Sequence, residues 1–227
     1  MEIIKLENVN RIYSNNGAPY TALTDINLSI SEGEFVLISG HSGSGKTSLL
    51  NIIGTLDKPT SGLVSIFGEL ISAKNKLALS YLRHQKFGYI FQVFNLIPAL
   101  SSFENIEYPL ILAGVNVESR NERVQSVIDE LELNDISLKK PNQLSSGQQQ
   151  KIAIARAIVN QPEIILADEP TANLETETRN DIYKIFRKLN EEKKICIIMA
   201  THDELAIPFA KRLIILENGL IKSDKVN

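Results

Sequence analysis

Apolar positions along the chain fall into two periods. Continuous runs at Phe35-Val36-Leu37-Ile38, Ile164-Ile165-Leu166-Ala167 and Ile195 to Met199 predict strands buried on both faces, and Phe87 to Phe91 predicts another short one. Alternation at Ile26, Leu28 and Ile30 predicts a half-buried strand. With Ile3-Ile4-Lys5-Leu6, Arg11-Ile12-Tyr13 and a turn at Ser14-Asn15-Asn16-Gly17 it reads as an antiparallel sheet, to which Leu63 to Phe67 adds a strand after Thr60-Ser61-Gly62. The helical period places Leu49, Leu50, Ile52 and Ile53 on a helix closed by Gly54. It also places Val124, Val127, Ile128 and Leu131 on one face of a helix from Glu118 to Leu131. Two further helices carry Ile152, Ala155, Ile158 and Val159, and Ile182, Ile185, Phe186 and Leu189. Ser101 with Glu104 has the spacing of a capping box, and Pro109 is expected to limit or kink the helix that Phe103, Ile106 and Leu110 suggest. Leu213 to Leu216, then Asn218-Gly219, then Leu220-Ile221 predict a tight hairpin.

Strand, helix and strand in succession imply right-handed crossovers and a parallel sheet covered on both faces. The expected class is therefore α/β. Ligands of such sheets sit at the carboxyl ends of the strands, which here deliver Gly40, Asp168-Glu169 and Thr201-His202 to one edge.

Composition narrows the picture. With 227 residues the chain can bury one large core, and 43% hydrophobic with 22% charged residues is ordinary for a globular protein. A net charge of -3 argues against a general nucleic-acid binder, which needs a basic face to displace counterions. The one cysteine, Cys196, lies in an apolar run and reads as a buried thiol in a reducing compartment. No apolar run has the length of a membrane span and Met1 to Lys5 lacks the form of a signal peptide, so a cytosolic location is expected. Without repeats or linkers, one domain over 1–227 is expected.

The chemistry centres on Gly40-His41-Ser42-Gly43-Ser44-Gly45-Lys46-Thr47, which fits the phosphate-cradling pattern Gly-x4-Gly-Lys-Ser/Thr between a strand and a helix. Glycines let successive N–H groups turn inward on an anion beside the positive end of the helix. Lys46 would meet the terminal phosphates and the Thr47 hydroxyl would ligate Mg²⁺. Ser145-Ser146-Gly147-Gln148 opens a helix and presents N–H groups and hydroxyls in the same way, although alone it is no more than a good cap. Tyr13 is either a platform for a nucleobase or a residue packed in the sheet.

Taken in order, the phosphate loop, Gln92, Leu144-Ser145-Ser146-Gly147-Gln148, Asp168-Glu169, Ala172-Asn173-Leu174-Glu175 and His202 resemble the nucleotide-binding subunits of ATP-binding cassette transporters over nearly the whole chain. Phe91 to Pro98 and Tyr108 to Val115 are similar to the branch of lipoprotein-release, macrolide and peptide export, and cell-division ATPases. The resemblance implies a P-loop NTPase core and β subdomain, from 1–92 and 160–227, with an inserted helical subdomain at 93–159. It implies that Tyr13 stacks on adenine and that Gly40 to Thr47, with the adjoining Ser48, hold ATP. It implies that Gln92 touches Mg²⁺ and the attacking water, that Asp168 holds Mg²⁺, that Glu169 is general base and that His202 contacts the γ-phosphate. Ser145 to Gln148 would bind ATP on a second copy, in a head-to-tail dimer with two ATP molecules between subunits. An integral membrane permease would be the other partner, placing the protein on the inner face of the cell membrane. Ser146 stands where the signature most often has Gly, and it resists positive φ; Lys151 and Glu175 stand where Arg and Asp are common.

Two other classes compete with an ATPase that drives a membrane protein. A soluble cassette acting on ribosomes or DNA usually carries two cassettes or a long coiled coil, and neither is present. A nucleotide binder without catalysis is disfavoured by the presence of Lys46, Asp168, Glu169 and His202.

Overall fold

A computed structural model describes residues 1–14 and 18–226. The chain runs β1 (Glu2–Tyr13), β2 (Tyr20–Ser31), β3 (Phe35–Ser39), α1 (Lys46–Ile53), β4 (Ser61–Ile66), β5 (Glu69–Leu70), α2 (Lys76–Lys86) and β6 (Phe87–Ile90). It continues with α3 (Ser102–Leu112), α4 (Val117–Glu130), α5 (Ser146–Ile158), β7 (Ile164–Asp168), α6 (Thr176–Lys193), β8 (Cys196–Ala200), β9 (Arg212–Glu217) and β10 (Leu220–Val226).

Two sheets form. One has the order β2-β1-β4-β5 and is antiparallel; the other has the order β10-β9-β3-β8-β7-β6, parallel from β9 to β6. Alternation on the parallel strands divides the interior into two cores. Val36, Ile38, Ile164, Leu166, Cys196 and Ile198 face the antiparallel sheet and α1, while Phe35, Leu37, Ile165, Ala167, Ile197 and Met199 face the helices α3 to α6. Both faces of each strand are therefore apolar, which is why these strands read as unbroken runs. Burial pushes the Cys196 thiol up to about 12.

Several expectations change. The short strands at Ile3 and Arg11 are one strand, β1, whose register against β2 shifts between Leu6 and Val9 where Asn8 has φ 50°. The side chain of Asn27 accepts from the Asn8 N–H at 2.9 Å and supports this left-handed residue. Asn15 to Gly17, the centre of the expected turn, lie outside the described residues. Pro109 does not end α3, which continues to Leu112 after starting at the expected Ser101–Glu104 capping box. The helix α2, absent from the periodicity reading, buries only Leu79. The hairpin turns at Asn218 and Gly219, both with positive φ, as a two-residue turn of that type requires.

Candidate nucleotide site

The carboxyl ends of β3, β7 and β8 bring the phosphate loop, Glu169 and His202 into one pocket, together with Gln92 from beyond β6. The loop needs glycine for space as well as for φ. A Cβ on Gly40 would lie 2.2 Å from the Leu216 carbonyl oxygen, and one on Gly45, where φ is 106°, would lie 2.5 Å from that of Ala22. Gly45 is the residue before α1, so the free N–H groups of the first turn open onto the loop.

Lys46 is curled into this loop. Its Nζ donates to the carbonyls of Gly40 and His41 at 2.8 and 3.1 Å, and it lies 3.8 Å from Glu169 Oε1. A cation held over the loop in this way offsets the charge of any phosphate the loop receives.

Thr47 Oγ1 donates to Asp168 Oδ2 at 2.8 Å, whereas the buried Asp168 Oδ1 has no hydrogen-bond partner. Burial raises the Asp168 carboxyl above the usual range; the Thr47 bond opposes this, neighbouring Glu169 adds to it and Lys46 lowers it. An orphaned carboxylate oxygen beside a threonine hydroxyl fits a hard divalent cation. Among the described residues no three His, Cys, Asp or Glu side chains form a metal cage, so such an ion would complete its shell with phosphate and water.

Glu169 has φ 46°, a left-handed conformation fixed by its N–H donating to the Ala200 carbonyl at 2.8 Å. Its two oxygens are both engaged: Oε2 accepts from Thr201 Oγ1 at 2.9 Å and Oε1 lies 2.9 Å from His202 Nδ1. Glu169 is mostly buried while the His202 side chain is 69% exposed, so the imidazole can turn without repacking the core. Behind them the buried Tyr183 hydroxyl donates to Asp203 Oδ2 at 2.8 Å and lies 2.7 Å from Thr171 Oγ1. That bond network braces the two strand-end loops against each other.

Gln92 is exposed in the pocket, and its carbonyl accepts from Asn173 Nδ2 at 3.1 Å. Ser145 to Gln148 do not reach this pocket. They form the start of α5, where Ser145 Oγ accepts from the Gln148 N–H at 3.3 Å and Gln148 Oε1 accepts from the Ser145 N–H at 3.0 Å. Ser146 is the first helical residue and does not have positive φ, so the conformational objection to serine does not arise. The close approach is at Gly147, where a Cβ would meet Thr178 Cγ2 at 2.6 Å.

Tyr13 lies outside the pocket lining, adjoining it through two residues that do line it, Ser48 and its cross-strand partner Tyr20. Sequence reading places Thr201 at this sheet edge without a role and does not point to Tyr20. Tyr20 donates its hydroxyl to the Gly43 carbonyl at 2.9 Å, a contact that depends on hairpin register and has no local signal.

Residues 23–172 match the family described as ABC transporter. MJ0796 of Methanocaldococcus jannaschii, described as an ABC transporter ATP-binding protein, has a dimeric structure in a post-hydrolysis state bound to ADP and Pi. That structure is similar to this chain with a TM-score of 0.91 and 43% identity, covering 99% of this chain and 98% of the other. The lipoprotein-releasing system ATP-binding protein LolD 1 of Chlorobium chlorochromatii is 40% identical over 225 residues, covering 98% of this chain and 92% of that protein. The macrolide export ATP-binding/permease protein MacB of Aggregatibacter actinomycetemcomitans is 45% identical over 224 residues, which are 99% of this chain and 35% of MacB.

Proposed function

The chain belongs to the ABC transporter family as an ATP-binding, ATP-hydrolysing subunit, and from that premise we propose that it hydrolyses Mg²⁺–ATP between two copies of itself to drive a separate membrane subunit. The observation that carries the reading is the Thr47–Asp168 pair with its orphaned oxygen, set beside Glu169 and His202 on one sheet edge. The alternative of a cassette acting on ribosomes or DNA is not what the transporter relatives support.

Gly40 to Ser48 would hold the phosphates through backbone N–H groups, with Lys46 leaving the Gly40 and His41 carbonyls for the β- and γ-phosphates. Thr47 and Asp168, with Gln92, would hold Mg²⁺, which supplies charge stabilisation to the phosphates. Glu169 would accept a proton from water at Oε1 once His202 turns toward the γ-phosphate, while Thr201 keeps Oε2 in place. Tyr13 would stack on adenine.

Ser145 to Gln148 lie away from the pocket of their own chain, and a dimeric relative carries ADP and Pi. Both facts support a head-to-tail dimer in which this segment meets the nucleotide of the other copy. Residues 93–159 would move as a helical unit against the rest.

No helix among the described residues is long and apolar enough to cross a membrane. A peripheral position on the inner face of the cell membrane, through a permease, is supported by relatives named for release and export. Leu77 and Tyr81 on α2 and Leu112 at the end of α3 are exposed around one groove, a surface suited to a short apolar helix of such a partner. Steady-state phosphate release, measured with and without Mg²⁺ and across protein concentration, tests the reading. Turnover that is independent of Mg²⁺, or linear in monomer down to dilution, contradicts it.

A further inference from the structure

Arg11 and Asp57 form a closed polar cluster with Tyr13 and Ser48 at the rim of the phosphate-loop pocket. Arg11 donates through Nε and Nη2 to Asp57 Oδ2 and Oδ1 at 2.8 and 2.9 Å, a bidentate fork. Its guanidinium carbon lies 4.1 Å from the centre of the Tyr13 ring, and the Tyr13 hydroxyl donates to Asp57 Oδ2 at 2.9 Å with Ser48 Oγ at 3.3 Å. Asp57 is itself anchored just after α1, where its N–H donates to the Asn51 carbonyl at 3.1 Å and its Oδ1 accepts from the Lys58 N–H at 2.8 Å.

Tyr13 is therefore held at its backbone by β2, at its hydroxyl by Asp57 and Ser48, and on one ring face by a cation. A base can stack only on the face that Arg11 leaves. A guanidinium stacked on the ring also draws density from it, which favours an electron-rich base on the other side. Because Ser48 follows Thr47 in α1, the cluster fixes the ring relative to the loop that holds the phosphates. We propose that Arg11 and Asp57 are positioning residues for the nucleobase, setting the one face and the height at which Tyr13 receives it. The proposal rests on the reading of Tyr13 as the adenine platform.

The experiment compares affinity for ATP with affinity for inorganic tripolyphosphate, which has no base, in Arg11→Ala, Asp57→Asn and Tyr13→Ala full-length protein. Thermal unfolding confirms that each variant folds, and Asp57→Asn, nearly isosteric, stands in if Arg11→Ala does not. The expected result is that Arg11→Ala and Asp57→Asn weaken ATP about two- to tenfold while tripolyphosphate binding is unchanged, with Arg11→Lys intermediate. Equal weakening of both ligands would mark the cluster as a brace for the loop and overturn the proposal. If Tyr13→Ala lowers the ATP-to-tripolyphosphate ratio and neither clamp variant does, the proposal falls and the platform stands. A ratio unchanged in Tyr13→Ala removes the platform and the proposal together.

Discussion

Glu169 and His202 share a contact of 2.9 Å between Oε1 and Nδ1, while Thr201 takes the other carboxylate oxygen. The oxygen bonded to Thr201 is placed by a residue of the same strand end as His202. The oxygen facing His202 is the one that a turn of an exposed ring sets free.

Glu169→Gln preserves the acceptor for Thr201 and the left-handed backbone, and removes the base. Hydrolysis is expected to fall about 10²- to 10⁴-fold with ATP binding retained, and ATP is expected to trap a dimer. Phosphate release and size-exclusion chromatography with ATP check this. Turnover at the parent rate excludes Glu169 from the proton-accepting role.

Asp168 gives a pH and stability test. An acid whose folded pKa lies above its ordinary value of 3.8 binds more protons folded than unfolded in that window, so stability falls as pH rises through it. Above that window and without Mg²⁺ the ionised, half-orphaned carboxylate is therefore a standing cost. Asp168→Asn is expected to raise the unfolding temperature of nucleotide-free protein at pH 7, to flatten its pH dependence above pH 4, and to abolish Mg²⁺-dependent turnover. An unchanged or lower unfolding temperature would show that Thr47 and Lys46 already compensate the charge.

Gly147→Ala places a methyl against Thr178, and overpacking of this kind costs about 1 to 3 kcal/mol. Thr178→Ser removes the methyl that is struck. The double variant is expected to recover most of the loss, as a coupling in a denaturation cycle. Additive effects would mean that α5 and α6 adjust without meeting at this point.

Legibility followed burial. The strands β3, β7 and β8 were readable because both faces are covered, and α5 because Ile152, Ala155 and Ile158 recur on a buried face. The helix α2 was not, because one buried residue, Leu79, gives no period. β1 was broken in the reading where a left-handed Asn8 interrupts its alternation. In the site, loop residues with their own motif could be named from sequence. Tyr20 and the Arg11–Asp57 clamp are produced by pairing between distant segments, which no local pattern records.

Burial also decides where the docking groove can be tested. Phe94, in the apolar stretch from Val93 to Val115, is partly buried against the core, so a charge there is expected to lower stability as well as to alter the surface. Leu77→Glu and Leu112→Glu, at 78% and 67% exposed positions, are expected to fold and bind ATP but to lose co-purification with the membrane partner. Retained co-purification places the partner elsewhere.

Cys196 is expected to be inert to alkylation in the native protein and to react only on unfolding, because it is fully buried and its thiolate is disfavoured. Labelling rate against denaturant reads this directly. Fast labelling without denaturant would mean that β8 opens locally.

Arg156, on α5, donates to the carbonyls of Phe94 and Asn95 at 2.9 and 2.6 Å, and the buried Asn105, on α3, holds the stretch from Ile97 to Ser101 through both ends of its carboxamide. The irregular strip after Gln92 is thus stitched to two helices by the buried Asn105 and the part-buried Arg156. A push on that strip would reach α5 through Arg156, and Ser145 to Gln148 open that same helix, so the strip beside the pocket and the edge proposed to face a second copy share one element.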